Sequence, residues 1–171
     1  GLDHDGPGFF LFIDQAGRPV RGPRRARVLR RQISAFSQAG RLGWTGSWRD
    51  IVEHGLARLP LYLRQDGLAR SRVEDDGAPV DGPPDLYDQA FILFGLAAAL
   101  PHAPDPEALS HTASRLRRAL YAALAHGGGG FDETAPPTLP LKANPHMHLL
   151  ESALAWAAAP GRPDGAAWDR M

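Results

Sequence analysis

Asn144-Pro145-His146-Met147-His148-Leu149-Leu150-Glu151-Ser152 decides how the chain is read, because no other stretch packs so many chemical groups into one helical start. Asn is a favoured N-cap, and proline suits the first helical position, where its missing N–H would have no intrahelical partner. A helix capped by Asn144 and running to about Ala159 is therefore expected. At about 100° per residue, His148 lies one turn above Asn144, on the side of Glu151, Ser152 and Ala155. His146 is rotated about 200° from it, onto the apolar stripe of Leu149, Leu150, Ala153 and Ala157. The two histidines cannot share one pocket. His148 is the candidate functional residue; the competing reading is a buried, hydrogen-bonded structural histidine at an Asn-Pro helix start.

Working upstream, a Gly- and Pro-rich loop over residues 127–140 follows a helix opened by Asp105 and Pro106 and carrying Leu109, Leu116, Leu120, Tyr121 and Leu124. Before it, Asp85 caps a helix whose Ala90, Phe91, Leu93, Phe94, Leu96, Ala97 and Leu100 are apolar nearly all round, which predicts burial on several sides. Residues 66–84 read as a long loop with a short strand pair around residues 71–80. Ser47 and Asp50 have capping-box spacing ahead of a helix through Ile51, Val52, Leu56, Leu59, Leu61 and Leu63, in which Pro60 forces a kink or a stop. A helix over about residues 23–40 presents Val28, Leu29, Ile33, Phe36 and Ala39. Its basic run, Arg24, Arg25, Arg27, Arg30 and Arg31, is expected to be mostly a solvated face. The first 20 residues read as a Gly-rich approach, a strand over residues 9–13 and a turn at residues 14–17.

A rhythm emerges: loop, buried helix, outer amphipathic helix. The loops at residues 8–19, 66–84 and 127–140 recur roughly 60 residues apart, which suits stacked helical hairpins and an all-α architecture of the α/α toroid type. With 171 residues and 43% hydrophobic content, the chain can form one domain over residues 1–171 with a substantial core. Nineteen basic and nineteen acidic residues cancel, so net charge gives no reason to invoke nucleic acid or an acidic membrane surface. The lack of cysteine excludes disulfides, a thiol nucleophile and thiolate metal sites, and a cytoplasmic location is the simplest reading. No apolar run approaches the roughly 18 residues of a membrane span. Gly1 without a methionine, and Asp169-Arg170-Met171 just past a new helix-like start, read as a chain cut at both ends.

Three segments, in order, resemble the N-acylglucosamine 2-epimerase family of sugar isomerases and epimerases. Residues 141–152 are similar to its Asn-Pro-His-Met-His segment, residues 27–36 to its Arg-Gln-x-Tyr-x-Phe helix, and residues 85–91 to its Tyr-x-Gln-Ala-Phe segment. The resemblance implies a closed barrel of six helical hairpins, of which this chain would supply an incomplete N-terminal portion. It also implies sugar-binding roles for Arg31, Tyr87, Asn144 and His148, with His148 as the candidate catalytic residue. Ser34 stands where the family carries an aromatic side chain, so the pocket wall there departs from the pattern. The implied activity is isomerisation or 2-epimerisation of a mannose-, N-acylglucosamine- or cellobiose-like sugar through an enediol, with no cofactor and no metal. The family's acid/base histidines come from its other half, so this fragment is expected to be inactive alone. Its partner would be a small-molecule sugar, not nucleic acid or a membrane, and a homodimer is open to it.

The residue chemistry suits that reading. Asn, Tyr and Arg supply donors and acceptors for sugar hydroxyls, an aromatic covers the apolar ring face, and Arg31 can stabilise an enediolate. His146 and His148, two apart on a helix, cannot share an ion; His148 and Glu151 have usable spacing but are too few. The rival classes are an α/α-barrel glycoside hydrolase, for which Asp75, Asp76, Asp85, Asp88, Asp132, Glu133 and Glu151 qualify by type alone, and a non-catalytic helical protein-binding module. A partial toroid is further expected to leave apolar flanks of its inner helices uncovered.

Overall fold

The computed structural model describes residues 1–80, 82–160 and 165–171. Its helices are α1 (Ala26–Arg41), α2 (Trp48–Ala57), α3 (Leu59–Tyr62), α4 (Leu86–Ala99), α5 (Pro106–Leu124), α6 (Ala143–Ala157) and α7 (Gly165–Trp168). The helix-like start expected just before Asp169 appears as the short helix α7, while residues 161–164, and Asp81 in the loop over residues 66–84, lie outside the described residues. Helix α4 packs between α1 and α6, while α2 lies against α1 and α5 against α4. Inner helices α1, α4 and α6 are thus backed by an outer layer, which is part of an α/α toroid.

Sequence explains the layering. Eleven of the 14 residues of α4 are buried, among them Ile92, Leu93 and Leu96, so α4 can only be the central helix. Helix α5 buries just the stripe Leu109, Ala113, Leu116, Leu120 and Leu124 and belongs outside. Asp85 caps α4 by accepting the Tyr87 N–H at 2.8 Å, and Asp105 caps α5 by accepting that of Ala108 at 2.9 Å. Pro60 sits in the first turn of α3 after α2 has ended at Ala57, the expected interruption. The α1–α2 crossing is tight: a Cβ on Gly55 would lie 2.6 Å from Ile33 Cγ1. Trp156 donates its indole N–H to the Leu93 carbonyl at 2.9 Å and stacks on Trp168, tying α6 to α4 and α7.

Other expectations needed correction. The apolar run at residues 9–13 is two short pieces: β2 (Gly8–Phe9) pairs antiparallel with β1 (Leu2–Asp3), and β3 (Phe12–Ile13) with β4 (Pro19–Val20). The turn at residues 14–17 closes the second hairpin, where the Asp14 carboxylate accepts the Ala16 and Arg18 N–H groups. In the loop over residues 66–84, β6 (Arg72–Val73) pairs chiefly with β5 (Arg24–Arg25) rather than within the loop, leaving a single bridge from Val73 to Pro79. Ser47 occupies the N-cap position of α2 but its hydroxyl makes no capping bond. The basic run is not a solvated face: Arg24 is buried in ion pairs with Asp3 and Asp75, Arg27 pairs with buried Asp88, and Arg30 is buried with no hydrogen-bond partner among the described residues. As expected, one inner flank is open, with Met147, Leu150 and Leu154 of α6 exposed. No helix of the described residues is long and apolar enough to cross a membrane.

Candidate functional site

The start of α6 differs from the simple capping scheme. Helical geometry begins at Ala143 with Lys142 as the N-cap residue, so Asn144 is the second helical residue and Pro145 the third. A side chain from elsewhere replaces the cap: the buried Glu133 carboxylate accepts the Lys142 N–H, while the Glu133 carbonyl accepts the Leu86 N–H at 2.8 Å. One residue of the loop over residues 127–140 thereby holds the starts of both α4 and α6. Pro145 remains compatible with the helix, because the first four N–H groups have no intrahelical acceptor in any case. Asn144, relieved of capping, is exposed.

Around these helix starts, side chains from three inner helices form one network. Arg31 of α1 donates to the Tyr87 hydroxyl of α4 at 2.8 Å and lies over the Phe91 ring at 4.5 Å. Arg27, one turn earlier, is gripped by Asp88 through bonds of 3.0 and 3.2 Å and lies over the Tyr87 ring. His148 of α6 meets the edge of Tyr87 at 5.2 Å between ring centroids and packs on Phe91 at 4.5 Å. Its Nδ1 is 2.7 Å from a Glu151 carboxylate oxygen. A carboxylate only accepts, so Nδ1–H donates and, in the neutral ring, Nε2 keeps its lone pair. Ser152, expected to share this face, is instead buried with its hydroxyl donated to the Leu149 carbonyl.

Beside this network, Arg27, Asp85, Tyr87, Glu133, Lys142, Asn144 and Pro145 line an open cavity of about 250 Å³. Tyr87 is the hinge between the two: it contacts Arg31 and His148 on one side and shares the cavity wall with Asn144 on the other. Burial, with the neighbouring Asp88 carboxylate adding to it, holds Asp85 above the usual carboxylate range despite the N–H bond it accepts. Away from the cavity, buried Gln89 ties α4 to the loop over residues 66–84: its amide oxygen accepts the Ala69 N–H at 2.8 Å while its nitrogen donates to the Ala69 carbonyl at 2.9 Å. His146 is not on an apolar stripe. Both its ring nitrogens lie 2.9 Å from backbone carbonyls, those of Lys142 and Phe131. Among the described residues, no three or more His, Asp or Glu side chains gather as a metal-ligating cluster.

Comparison with known proteins decides the lineage. The model of the N-acylglucosamine 2-epimerase (GlcNAc 2-epimerase) family matches residues 8–169. This chain belongs to the N-acylglucosamine 2-epimerase family. It is 41% identical, over its whole length, to a mannose-6-phosphate isomerase from Rhizobium meliloti (strain 1021), of which it covers 44%. Among solved structures, cellobiose 2-epimerase from Spirochaeta thermophila superposes with a TM-score of 0.82 at 21% identity, covering 98% of this chain and 46% of that one. A D-mannose isomerase superposes with a TM-score of 0.81 at 19% identity, over 98% of this chain and 44% of that one. The chain thus spans less than half the length of these relatives, and the solved structures establish its fold as that of the epimerase toroids.

Of the residues named from the sequence, Arg31, Tyr87 and His148 come together, and Asn144 joins them through the Tyr87 cavity. Sequence reasoning missed Phe91, Glu151, Arg27 and Glu133 as members of this candidate site. Phe91 was indistinguishable from core in a helix apolar all round. The three-residue step from His148 to Glu151, weighed only as a metal pair, was the signal for an orienting carboxylate. The four-residue step from Arg27 to Arg31 places both guanidiniums on one helix face and likewise pointed inward.

Proposed function

We propose that the full-length protein is a sugar isomerase or 2-epimerase and that this chain is its substrate-holding portion. The observation that carries the proposal is the network Arg31–Tyr87–Phe91–His148–Glu151, in which three inner helices present a cation, a phenol, an aromatic face and an oriented imidazole together. Those are the groups a reducing sugar requires. Phe91 and Tyr87 supply apolar surface for the ring's C–H face, and Asn144 and the His148 Nε2 offer partners for hydroxyls.

In the reaction we infer, a base removes the proton from the carbon next to the sugar carbonyl, and the electron pair moves onto the carbonyl oxygen to give an enediolate. Arg31, held over Phe91 and bonded to Tyr87, still has guanidinium N–H groups to meet that developing charge. Returning the proton to the neighbouring carbon, as the O2 hydroxyl proton passes to O1 and O2 becomes the carbonyl oxygen, gives the isomer; returning it to the opposite face of the same carbon gives the 2-epimer. Either way the acid and base must sit near neutrality, which histidines elsewhere in the longer protein would provide. His148 serves as the group that orients the reacting carbon. Mannose and its 6-phosphate come first as substrates, because the relatives include a D-mannose isomerase and a mannose-6-phosphate isomerase.

The test incubates the full-length protein with mannose, mannose 6-phosphate, glucose, N-acetylglucosamine and cellobiose in D2O, followed by proton NMR. Conversion to a ketose with deuterium at C1, or to an epimer with deuterium at C2, supports the reading. Release of a smaller sugar from cellobiose, or no conversion of any of these sugars, refutes it.

A further inference from the structure

The histidine left unused by the reading above is the more constrained of the pair. His146 Nδ1 is 2.9 Å from the Lys142 carbonyl and Nε2 is 2.9 Å from the Phe131 carbonyl. Carbonyl oxygens only accept, so a neutral imidazole, with one N–H, can serve one of them and must turn a lone pair toward the other. Only the imidazolium satisfies both. The two carbonyls belong to different parts of the site: Lys142 begins α6, which carries Asn144 and His148, and Phe131 lies two residues before Glu133, which holds that same helix start.

We propose that His146 is a positioning residue of the sugar site: as a cation donating from both ring nitrogens, it fastens the loop bearing Glu133 to the first turn of α6, and on losing its proton to solvent it releases one carbonyl. The inference rests on the sugar-binding reading for its kinetic consequence, but not for the clasp itself.

The surrounding charges agree with a cation here. From the loop, Glu133 is buried nearby and favours the charged ring, while the Asp132 carboxylate is engaged by His126 at 2.9 Å. From its own helix, Lys142 presents its carbonyl to the ring, and its ammonium lies 3.9 Å from Glu133. On the α4 side stand Asp85, paired through its backbone with Thr134, and Tyr87. The two carbonyl bonds, Phe131 first, raise the His146 pKa above its ordinary value against a smaller effect of burial. The sign follows: the clasp is complete below the ordinary histidine pKa of about 6.5 and weakens as pH rises through the higher folded value.

The experiment has two arms on the full-length protein. The first follows histidine side-chain nitrogens by NMR, with His146→Gln used to assign the resonance, and hydrogen exchange of the amides at residues 125–134. Expected are two ring N–H signals for His146 at pH 6.5, a titration midpoint above 6.5, and faster amide exchange in His146→Gln, whose side chain donates from a single nitrogen. A neutral His146 at pH 6.5, or unchanged exchange in the variant, overturns the clasp. The second arm measures sugar conversion. KM in His146→Gln should rise about tenfold at pH 6.5, the worth of one charge-assisted hydrogen bond, with a much smaller change in kcat. In the wild type, KM should climb with pH above the midpoint while the variant's stays flat. A lowered melting temperature with unchanged KM and kcat would make His146 merely structural. If the wild type converts no sugar, the sugar-site reading falls and the positioning role falls with it, while the first arm still decides the clasp.

Discussion

Replacing Arg30 with methionine should stabilise this protein, although it removes a charged residue from the middle of an inner helix. Arg30 is 0% exposed, and none of its three guanidinium nitrogens has a hydrogen-bond partner among the described residues. Its stem and backbone pack against Gly95 of α4, where an added Cβ would meet them at 3.2 Å. Burial pulls its pKa well below the usual guanidinium range, to about 9, opposed only in part by Tyr62. At about 1.36 kcal/mol per pKa unit, that gap makes the charged side chain roughly 5 kcal/mol less favourable in the folded protein than in the unfolded chain. Methionine keeps an unbranched apolar stem and discards the charge, but is shorter, and the void it leaves costs about 1–2 kcal/mol. The net expectation is a gain of about 3–4 kcal/mol at pH 7, within the range seen when buried ions give way to apolar side chains. Urea unfolding at pH 7 measures the gain. Equal or lower stability of the variant at pH 7 would refute the argument.

Other substitutions separate holding the site together from acting in it. Asp88→Asn leaves Arg27 without its buried anion and should lower stability by about 2–4 kcal/mol, read from the urea midpoint, because stranding one partner of such a pair is far worse than deleting both. Glu151→Gln lets the His148 ring adopt the other tautomer and should reduce kcat by about one to two orders of magnitude with little change in melting temperature, whereas His148→Ala should fall at least as far. Gly55→Ala drives a methyl group to 2.6 Å from Ile33 and should cost about 1–3 kcal/mol of stability by thermal melt, with kcat preserved in the fraction that remains folded.

How far the sequence carried depends on what kind of group did the holding. Periodicity sorted the layers correctly, because burial of Leu93 and Leu96 in α4 and of the Leu109–Leu116–Leu120 stripe in α5 is a property of each helix's own pattern. Asp85 and Asp105 were legible as caps for the same reason: a cap acts on residues two or three positions away. The short strands were less so, since β5 and β6 find each other across 47 residues and two-residue pairings leave no alternation to read.

The misreadings share one cause, and it bears on how the site is built. Asn144 looked like a cap, yet the cap comes from Glu133, eleven residues earlier. His146 looked apolar by its angular position, yet its ring is spent on two main-chain carbonyls, one of them in that same loop. Arg24 and Arg27 looked solvated by charge, yet their carboxylates are supplied by Asp3, Asp75 and Asp88 from distant segments. In each case a polar side chain is satisfied by a group whose proximity only the assembled fold creates, and helical-wheel geometry carries no information about it. The same property makes these residues the means by which loops are fastened to helix ends. A single loop carboxylate, Glu133, and a single imidazole, His146, together fix where α6 begins, and therefore where Asn144 and His148 stand relative to Tyr87. Because a displacement of about 1 Å at a reacting carbon can change a rate a hundredfold, the proposed sugar-holding role requires Glu133 and His146 to keep the start of α6 in place as much as it requires the side chains proposed to touch the sugar.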